Sequence, residues 1–146
     1  MSIGPIHHVA VVVRSIDASL PRYRELFGWE PEAPPFDFPT QRVRLCFLST
    51  GPGACARVEL VQPTDTTSGV ARFLADRGEG MHHVCLQTDD LPADLARLAK
   101  AEAELVDTVP RPGAHGSVAF IHPRTLNGVL WELLDPGGVE REPRAT

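Results

Sequence analysis

The sequence predicts an α+β fold made of two βαβββ modules whose sheets meet around a cleft. Three kinds of segment occur twice in the same order: an apolar segment with a histidine pair, an amphipathic segment, and an apolar segment with a glutamate. Residues 6–11 (IHHVAV) return as residues 81–86 (MHHVCL) at an offset of 75, and residues 58–63 (VELVQP) return as residues 131–136 (WELLDP) at an offset of 73. Several matches in register along one chain indicate an internal duplication.

Length and composition are those of one soluble globular domain. The 146 residues are 42% hydrophobic and 23% charged, so the chain can bury a core. We expect a single domain over residues 1–146, made of module 1 (about 5–65), a linker helix (about 66–79) and module 2 (about 80–136). The polar segment 137–146 is expected to fray.

Charge, apolar runs and cysteine usage exclude several classes of protein. A formal net charge of −5 without a basic face argues against a nucleic-acid partner. No apolar run approaches the roughly 20 residues of a membrane span, and the first residues lack the basic segment of a signal peptide. Three cysteines without CxxC spacing favour a reducing, cytoplasmic setting over a disulfide scaffold.

Module 1 begins with a valine-rich strand at residues 6–13. Apolar positions at helical spacing predict a helix at residues 17–27, capped by Ser15 or Asp17. The four prolines of residues 30–41 indicate a loop or an irregular edge strand. Strands at residues 43–48 and 57–62 complete the module.

Module 2 repeats this order after the linker helix, which is predicted within residues 66–77. The same rules predict a strand at residues 81–88, a helix at 91–104, strands at 105–109, 117–122 and 128–134, and a loop at 110–116.

Glu59 and Glu132 lie at equivalent places in otherwise apolar strands, each downstream of a histidine pair. Modules that pack about a pseudo-twofold axis would bring the two carboxylates together, and a buried carboxylate is costly unless it is paired or bound to a metal. A divalent cation removes the repulsion between facing carboxylates. Two imidazoles and two carboxylates suit zinc, nickel, cobalt or manganese. The repeat therefore predicts one divalent-metal site.

Strand alternation leaves the choice of histidines open. Neighbouring residues of a strand face opposite ways, so either His7 and His82 or His8 and His83 face the cleft. Two further histidines, His115 in Gly-Ala-His-Gly and His122 in His-Pro, are expected to be turn residues.

Several motifs resemble the vicinal oxygen chelate (glyoxalase I-like) superfamily, and methylmalonyl-CoA epimerases within it. They are His-His-Val-Ala, Val-Glu-Leu-Val-Gln-Pro, Gly-Glu-Gly-Met-His-His-Val-Cys, Gly-Ala-His-Gly and Gly-Val-Leu-Trp-Glu-Leu, and the similarity covers roughly residues 5–135. Carried across by position, the resemblance implies the metal ligands His8, Glu59, His83 and Glu132. It thereby selects the second histidine of each pair.

The resemblance also implies a reaction. The proton α to a thioester carbonyl of an acyl-CoA, methylmalonyl-CoA in particular, would be removed and returned through a metal-stabilised enolate. Inversion needs an acid/base group on each face of the α-carbon. Glu132 is the first candidate for one of them, and Glu59 or a metal-bound water is the candidate for the other.

The chain departs from the epimerase pattern in one strand. Some epimerases carry a further glutamate on the strand that matches residues 43–48, where this chain has Leu45. Candidates for binding a phosphate or carboxylate of the substrate are the arginines of this strand and of the later loops, namely Arg42, Arg44, Arg111 and Arg124. The resemblance further implies a homodimer.

Other functions are compatible with the resemblance. The superfamily includes glyoxalase-like lyases and extradiol-type dioxygenases, and the latter use two histidines and one carboxylate on iron. Glu59, as a fourth ligand, counts against the dioxygenase. A metal-independent binding or resistance protein is a further alternative, and the retained set of four ligands counts against it.

Overall fold

The structure is a computed structural model, which describes residues 3–138. The predicted fraying segment therefore lies mostly outside the described residues. The elements in chain order are β1 (Ile6–Val12), α1 (Ile16–Phe27), β2 (Glu30–Pro31), β3 (Phe36–Phe38), β4 (Val43–Ser49), β5 (Arg57–Pro63), α2 (Gly69–Arg77), β6 (Gly80–Gln87), α3 (Leu91–Lys100), β7 (Arg111–Pro112), β8 (Ser117–Ile121) and β9 (Trp131–Asp135). Two short 3-10 helices, Pro39–Gln41 and Pro123–Thr125, lie in the connections.

The chain divides into two units, which are named here by their position in the sequence. The N-terminal unit is His8–His82, and the C-terminal unit combines the residues up to His7 with those from His83 onwards. The residues before β1 join the C-terminal unit because Gly4 N–H and Gln87 N–H donate to the carbonyls of Gln87 and Pro5, at 2.9 Å each.

The sheet of the N-terminal unit has the strand order β2-β4-β5-β1, and β3 pairs with β4. Strands β4 and β5 are antiparallel, whereas β5 and β1 are parallel. One face of this sheet packs on α1 through a buried apolar cluster of Val13, Ile16, Cys46, Leu48 and Leu60. The opposite face therefore carries the intervening residues of each strand, including His8 and Glu59.

The sheet of the C-terminal unit has the order β6-β9-β8-β7, with β6 and β9 parallel and the other pairs antiparallel. One face packs on α3 through Leu91, Leu95, Ala119, Ile121 and Leu133. The pattern of strand pairing and helix packing is thus the same in both units, as the sequence repeat predicts.

The first turn of the main helix is anchored in the same way in each unit. A first-turn N–H has no partner within its own helix. Ile16 N–H donates to Gln62 Oε1 at 2.9 Å, and Leu91 N–H donates to Asp135 Oδ2 at 3.4 Å. Gln62 and Asp135 each lie three residues after the glutamate of the same strand, so this contact fixes the helix to the strand that carries the candidate ligand.

The predicted helix over residues 91–104 is too long, and the predicted strand over residues 105–109 is wrong. The helix ends at Lys100, and Glu102 adopts the left-handed conformation with φ 63°. Only a single bridge, between Leu105 and Ile121, forms in the predicted strand. The Asp107 carboxylate accepts the Phe120 N–H at 2.8 Å. This N–H is therefore not available to a backbone carbonyl of residues 105–109, and a ladder with β8 does not continue.

Short strands form in the predicted loop 110–116 and in residues 30–41, for which the sequence predicts a loop or an irregular edge strand. Residues 30–41 include β2 and β3, which both pair with β4. Residues 110–116 include β7, in which Arg111 is opposite Val118. The proline residues keep these strands short, because proline has no N–H to donate to a ladder.

We predict that Asp135→Ala lowers the free energy of unfolding by at least about 1 kcal/mol, because it leaves the buried N–H of Leu91 and the part-buried N–H of Gly137 without their acceptor. Asp135 is 2% exposed and accepts from Gly137 N–H at 3.0 Å as well as from Leu91. Urea unfolding followed by circular dichroism measures the change. Asp76→Ala, at an exposed position of α2, is the control and should leave the midpoint unchanged. Equal midpoints for both variants would contradict the anchoring role.

Candidate active site

His8 and Glu59 lie on the same face of the N-terminal sheet. Ala10 is opposite Glu59 in the parallel pair of β1 and β5, and His8 is two residues before Ala10. The distance from His8 Nε2 to Glu59 Oε1 is 3.7 Å, and both side chains are buried. This sheet face thus carries an imidazole and a carboxylate side by side.

His83 and Glu132 form the corresponding pair in the C-terminal unit. Cys85 is opposite Glu132 in the parallel pair of β6 and β9, so His83 shares the face of Glu132. His83 Nε2 lies 2.7 Å from Glu132 Oε2, and both residues are 7% exposed. The two units therefore each hold one buried histidine–glutamate pair.

The other histidine of each doublet contacts aromatic rings. His82 packs edge-on against Phe73 of α2, with ring centroids 5.0 Å apart, and the centroids of His7 and His115 are 6.0 Å apart. Histidines 8 and 83 are therefore the two that accompany the glutamates, which is the choice that alternation left open. That these four residues bind a metal stays a prediction.

An aromatic ring braces each imidazole, and this feature is not among the predictions from the sequence. The His8 ring meets Phe47 edge-on, with centroids 5.4 Å apart and an angle of 80°. The His83 ring meets Phe120 in the same way, at 5.3 Å and 90°. Phe47 is opposite Glu59 and Phe120 is opposite Glu132 in their ladders. The two phenylalanines are separated by the same offset of 73 as the glutamates. A comparison of the two halves of the sequence therefore pairs them with each other.

Leu45 lies on the same sheet face as Glu59 and Phe47. It is opposite Val61 in the ladder and 3% exposed. Val118, opposite Leu134, takes the equivalent place in the C-terminal unit. Both units therefore have a branched aliphatic residue on the sheet face of the glutamate, and neither supplies a carboxylate at this position.

Acidic neighbours hold Arg42, Arg44 and Arg124 in ion pairs. The pairs are Arg42 with Asp65 at 2.7 Å, Arg44 with Asp17 at 3.2 Å, and Arg124 with Glu104 at 2.6 Å. Hydrogen bonds from Ser68, with a contribution from Arg42, lower the pKa of Asp65 to about 2, and the hydrogen bond from Arg124 lowers the pKa of Glu104. Both acidic partners are thus ionised at neutral pH.

Arg111 is also ion-paired, but it contacts an aromatic ring as well. Its Nε atom lies 3.3 Å from Asp107 Oδ1, and its guanidinium carbon lies 5.2 Å from the centroid of the Phe120 ring. This arginine therefore contacts the ring that braces His83.

His122 and His115 lie in connecting segments. The imidazole Nδ1 of His122 accepts the Arg124 N–H at 3.0 Å and caps the second 3-10 helix, which confirms the predicted turn role. The loop that carries His115 is closed by a hydrogen bond from Gly113 N–H to the Gly116 carbonyl at 2.7 Å. A Cβ at Gly116 would lie 2.3 Å from the Asp135 carbonyl oxygen, so only glycine allows the loop to pack here on the end of β9.

The donor set fits a divalent metal. Buried carboxylates need a cationic or hydrogen-bonding partner, and imidazole nitrogens and carboxylate oxygens are accepted together by zinc, nickel, cobalt and manganese. Without a metal, a buried carboxylate beside an imidazole can also accept a proton from a bound molecule, which is the chemistry of a general base.

No helix among residues 3–138 is long and apolar enough to cross a membrane.

Comparison with known proteins places the chain in a family. Residues 7–120 match the sequence model of the Glyoxalase/Bleomycin resistance protein/Dioxygenase superfamily. The ethylmalonyl-CoA/methylmalonyl-CoA epimerase of Cereibacter sphaeroides is 37% identical over 134 residues, which cover 90% of this chain and 97% of that protein.

Solved structures agree with this relationship. The crystal structure of methylmalonyl-CoA epimerase from Mycobacterium tuberculosis superimposes with a TM-score of 0.85 at 30% identity, and covers 92% of this chain and 89% of that one. A methylmalonyl-CoA epimerase in complex with methylmalonyl-CoA and NH4+ has a TM-score of 0.82 at 32% identity, and covers 91% of this chain and 94% of that one. The predicted fold class is thereby confirmed. The chain belongs to the glyoxalase/bleomycin resistance protein/dioxygenase (vicinal oxygen chelate) superfamily, and within it to the group that contains the methylmalonyl-CoA epimerases.

Proposed function

We propose that this protein is an isomerase that inverts the α-carbon of an acyl-CoA thioester, with methylmalonyl-CoA as the substrate. The observation that carries the proposal is the occurrence of one buried histidine–glutamate pair in each half of a chain that is 37% identical to an epimerase over 134 residues. An inversion requires two acid/base groups, because the proton leaves one face of the carbon and returns to the other, and two carboxyl groups can fill both roles.

We infer that His8, Glu59, His83 and Glu132 hold one divalent ion, which is cobalt, zinc, nickel or manganese. All four side chains are buried and on the sheet faces that do not pack on α1 or α3. A metal in this place would stabilise the negative charge that develops on the thioester oxygen.

Glu132 is the proposed base for the first half of the reaction. Its carboxylate would take the α-proton while the electron pair of the C–H bond moves towards the thioester carbonyl. His83 Nε2 lies 2.7 Å from Glu132 Oε2, and the ring of Phe120 meets the His83 ring edge-on. The base is thus fixed in one orientation by residues of its own unit.

Glu59 is the proposed acid for the second half. Leu45 and Val118 lie on the sheet faces of the two glutamates and supply no carboxylate. Glu59 is the proposed acid because it occupies in the N-terminal sheet the position that Glu132 occupies in the C-terminal sheet. In its protonated form Glu59 would return a proton to the opposite face of the carbon, and the two carboxyl groups would exchange roles when the reaction runs in reverse.

We further propose a homodimer in the cytoplasm. All three cysteines are free, and two of them are buried, which suits a reducing compartment. The dimer rests on the family relationship and is tested by analytical ultracentrifugation of the purified protein.

We predict that Glu132→Gln lowers epimerisation by at least about 100-fold, because the amide cannot accept the α-proton. The measurement follows deuterium incorporation into each epimer of methylmalonyl-CoA in deuterated buffer, with circular dichroism to show that the fold is kept. Glu25→Gln changes an exposed glutamate of α1 and serves as the matched control. Undiminished incorporation of deuterium into the substrate in the presence of the Glu132→Gln protein would refute the assignment of Glu132 as the base.

The Glu59→Gln variant separates inversion from exchange. If Glu59 is the second acid, this variant exchanges the α-proton that Glu132 removes but no longer converts one epimer into the other. Chiral analysis of the deuterated product measures both quantities in one sample, and the metal content of the variant is determined beside it. Inversion at the wild-type rate would show that another group returns the proton.

We expect metal binding to depend on both units. The purified protein should hold one divalent ion per chain by elemental analysis, and His8→Ala and His83→Ala should each reduce that content. His122→Ala removes a histidine that caps a turn and should leave the content unchanged. Full metal content in the His8→Ala and His83→Ala proteins would contradict the ligand assignment.

A further inference from the structure

Arg111 projects from the same sheet face as the catalytic pair of the C-terminal unit. In the ladder of β7 and β8 it is opposite Val118, and Val118 and Phe120 share one face of β8 because they are two residues apart. Phe120 is in turn opposite Glu132. Register alone therefore places a guanidinium on the Glu132 face of this sheet.

Contacts connect this guanidinium to the candidate base. The guanidinium carbon lies 5.2 Å from the centroid of Phe120, Phe120 meets the His83 ring edge-on at 5.3 Å, and His83 lies 2.7 Å from Glu132. A cation over an aromatic face is attracted by the ring quadrupole. Arg111 is thus held at the margin of the candidate site.

Asp107 orients Arg111 without occupying all its donors. One oxygen of Asp107 lies 3.3 Å from Arg111 Nε, and the other accepts the Phe120 N–H at 2.8 Å. The two terminal nitrogens, Nη1 and Nη2, make no hydrogen bond within residues 3–138, and the side chain is 45% exposed. The outer edge of the guanidinium is therefore available to a ligand.

The N-terminal unit has no cation at the corresponding place in its sheet. Phe36 is opposite Leu45 there, as Arg111 is opposite Val118. Arg57 shares the face of Glu59, but its Nε lies 2.7 Å from Glu32 Oε1, and no aromatic ring of residues 8–82 lies beneath its guanidinium. The two units therefore differ at this position, where the C-terminal unit has Arg111 and the N-terminal unit has Phe36.

We propose that Arg111 binds the free carboxylate of the acyl group and makes the protein selective for acyl-CoA thioesters that carry one. The proposal rests on the proposed function. A guanidinium presents two parallel N–H groups that match the two oxygens of a carboxylate. Its position beside Phe120 places that carboxylate on the Glu132 face, where the adjacent α-carbon has to be.

The same contact assists removal of the proton. A carboxylate attached to the α-carbon opposes the negative charge that forms there, because like charges repel. Pairing with Arg111 offsets that repulsion. Arg111 therefore acts on substrate binding and on the rate of proton transfer.

The test compares two thioesters that differ only in the charged group. Methylmalonyl-CoA carries the carboxylate, and isobutyryl-CoA has a methyl group in its place. Dissociation constants are measured by calorimetry for the wild type, Arg111→Met and Arg111→Lys. Arg111→Met keeps the apolar stem over Phe120 and should weaken methylmalonyl-CoA binding by about 10- to 100-fold, as expected for lost hydrogen bonds to a charged group. The same variant should leave isobutyryl-CoA binding within about twofold, and Arg111→Lys should restore part of the loss, since lysine keeps the charge but not the fork.

Two matched controls define the alternatives. Arg97→Met removes an arginine of the same unit that is paired with Asp94, and Arg57→Met removes the arginine on the Glu59 face of the N-terminal sheet. Both should keep the preference of the wild type for the carboxylated thioester. Equal weakening of both thioesters by Arg111→Met would indicate contact with a phosphate of CoA, and would overturn the proposal. Loss of the preference in Arg57→Met alone, or a wild type that binds both thioesters equally, would also overturn it.

The proposed function fails in a different way. A wild type that prefers methylmalonyl-CoA through Arg111 but does not exchange its α-proton refutes the epimerase while the role of Arg111 stands. If the wild type exchanges the α-proton but Arg111→Met does not weaken the binding of methylmalonyl-CoA, only the role of Arg111 is refuted.

Discussion

The burial of two carboxylates constrains the rest of this structure. An ionised glutamate in an apolar sheet face is stable only with a partner that offsets its loss of hydration. Glu59 and Glu132 each lie beside an imidazole, and each imidazole is held by the edge of a phenylalanine ring from the neighbouring region of the sheet. Since the partner must come from an adjacent strand on the same face, the register of β1 with β5 and of β6 with β9 follows from the same requirement.

Duplication supplies this arrangement twice, and the helices preserve it. Gln62 and Asp135 bind the first turn of α1 and α3, three residues beyond the glutamate of the same strand. A shift of the strand by one residue would turn the glutamate to the helix face and break this contact at the same time. The residue that binds the helix and the glutamate therefore lie in one short segment of the same strand, and a change of register would affect both.

The sequence predicts those features that depend on alternation and repetition. The order of the modules, the strands that carry His8, Glu59, His83 and Glu132, and the linker helix all follow from apolar periodicity and the offsets of 75 and 73. Alternation did not decide between the histidines of a doublet, because both faces of β1 and β6 carry apolar neighbours.

Other features depended on contacts between residues far apart in the chain. The strand predicted at 105–109 is absent since the Asp107 carboxylate takes the Phe120 N–H, an interaction that no local pattern indicates. The contact of Arg111 with Phe120 depends on the same connection. Phe47 and Phe120, by contrast, follow the offset of 73, so a fuller comparison of the two halves predicts them.

The most direct test of the central claim is the stereochemical fate of the substrate. Purified wild-type protein is incubated with one epimer of methylmalonyl-CoA in deuterated buffer, and the configuration and deuterium content of the α-carbon are followed together. We predict a nearly equal mixture of the two epimers, with deuterium in the inverted product. Retention of both the configuration and the original hydrogen after prolonged incubation would contradict the account.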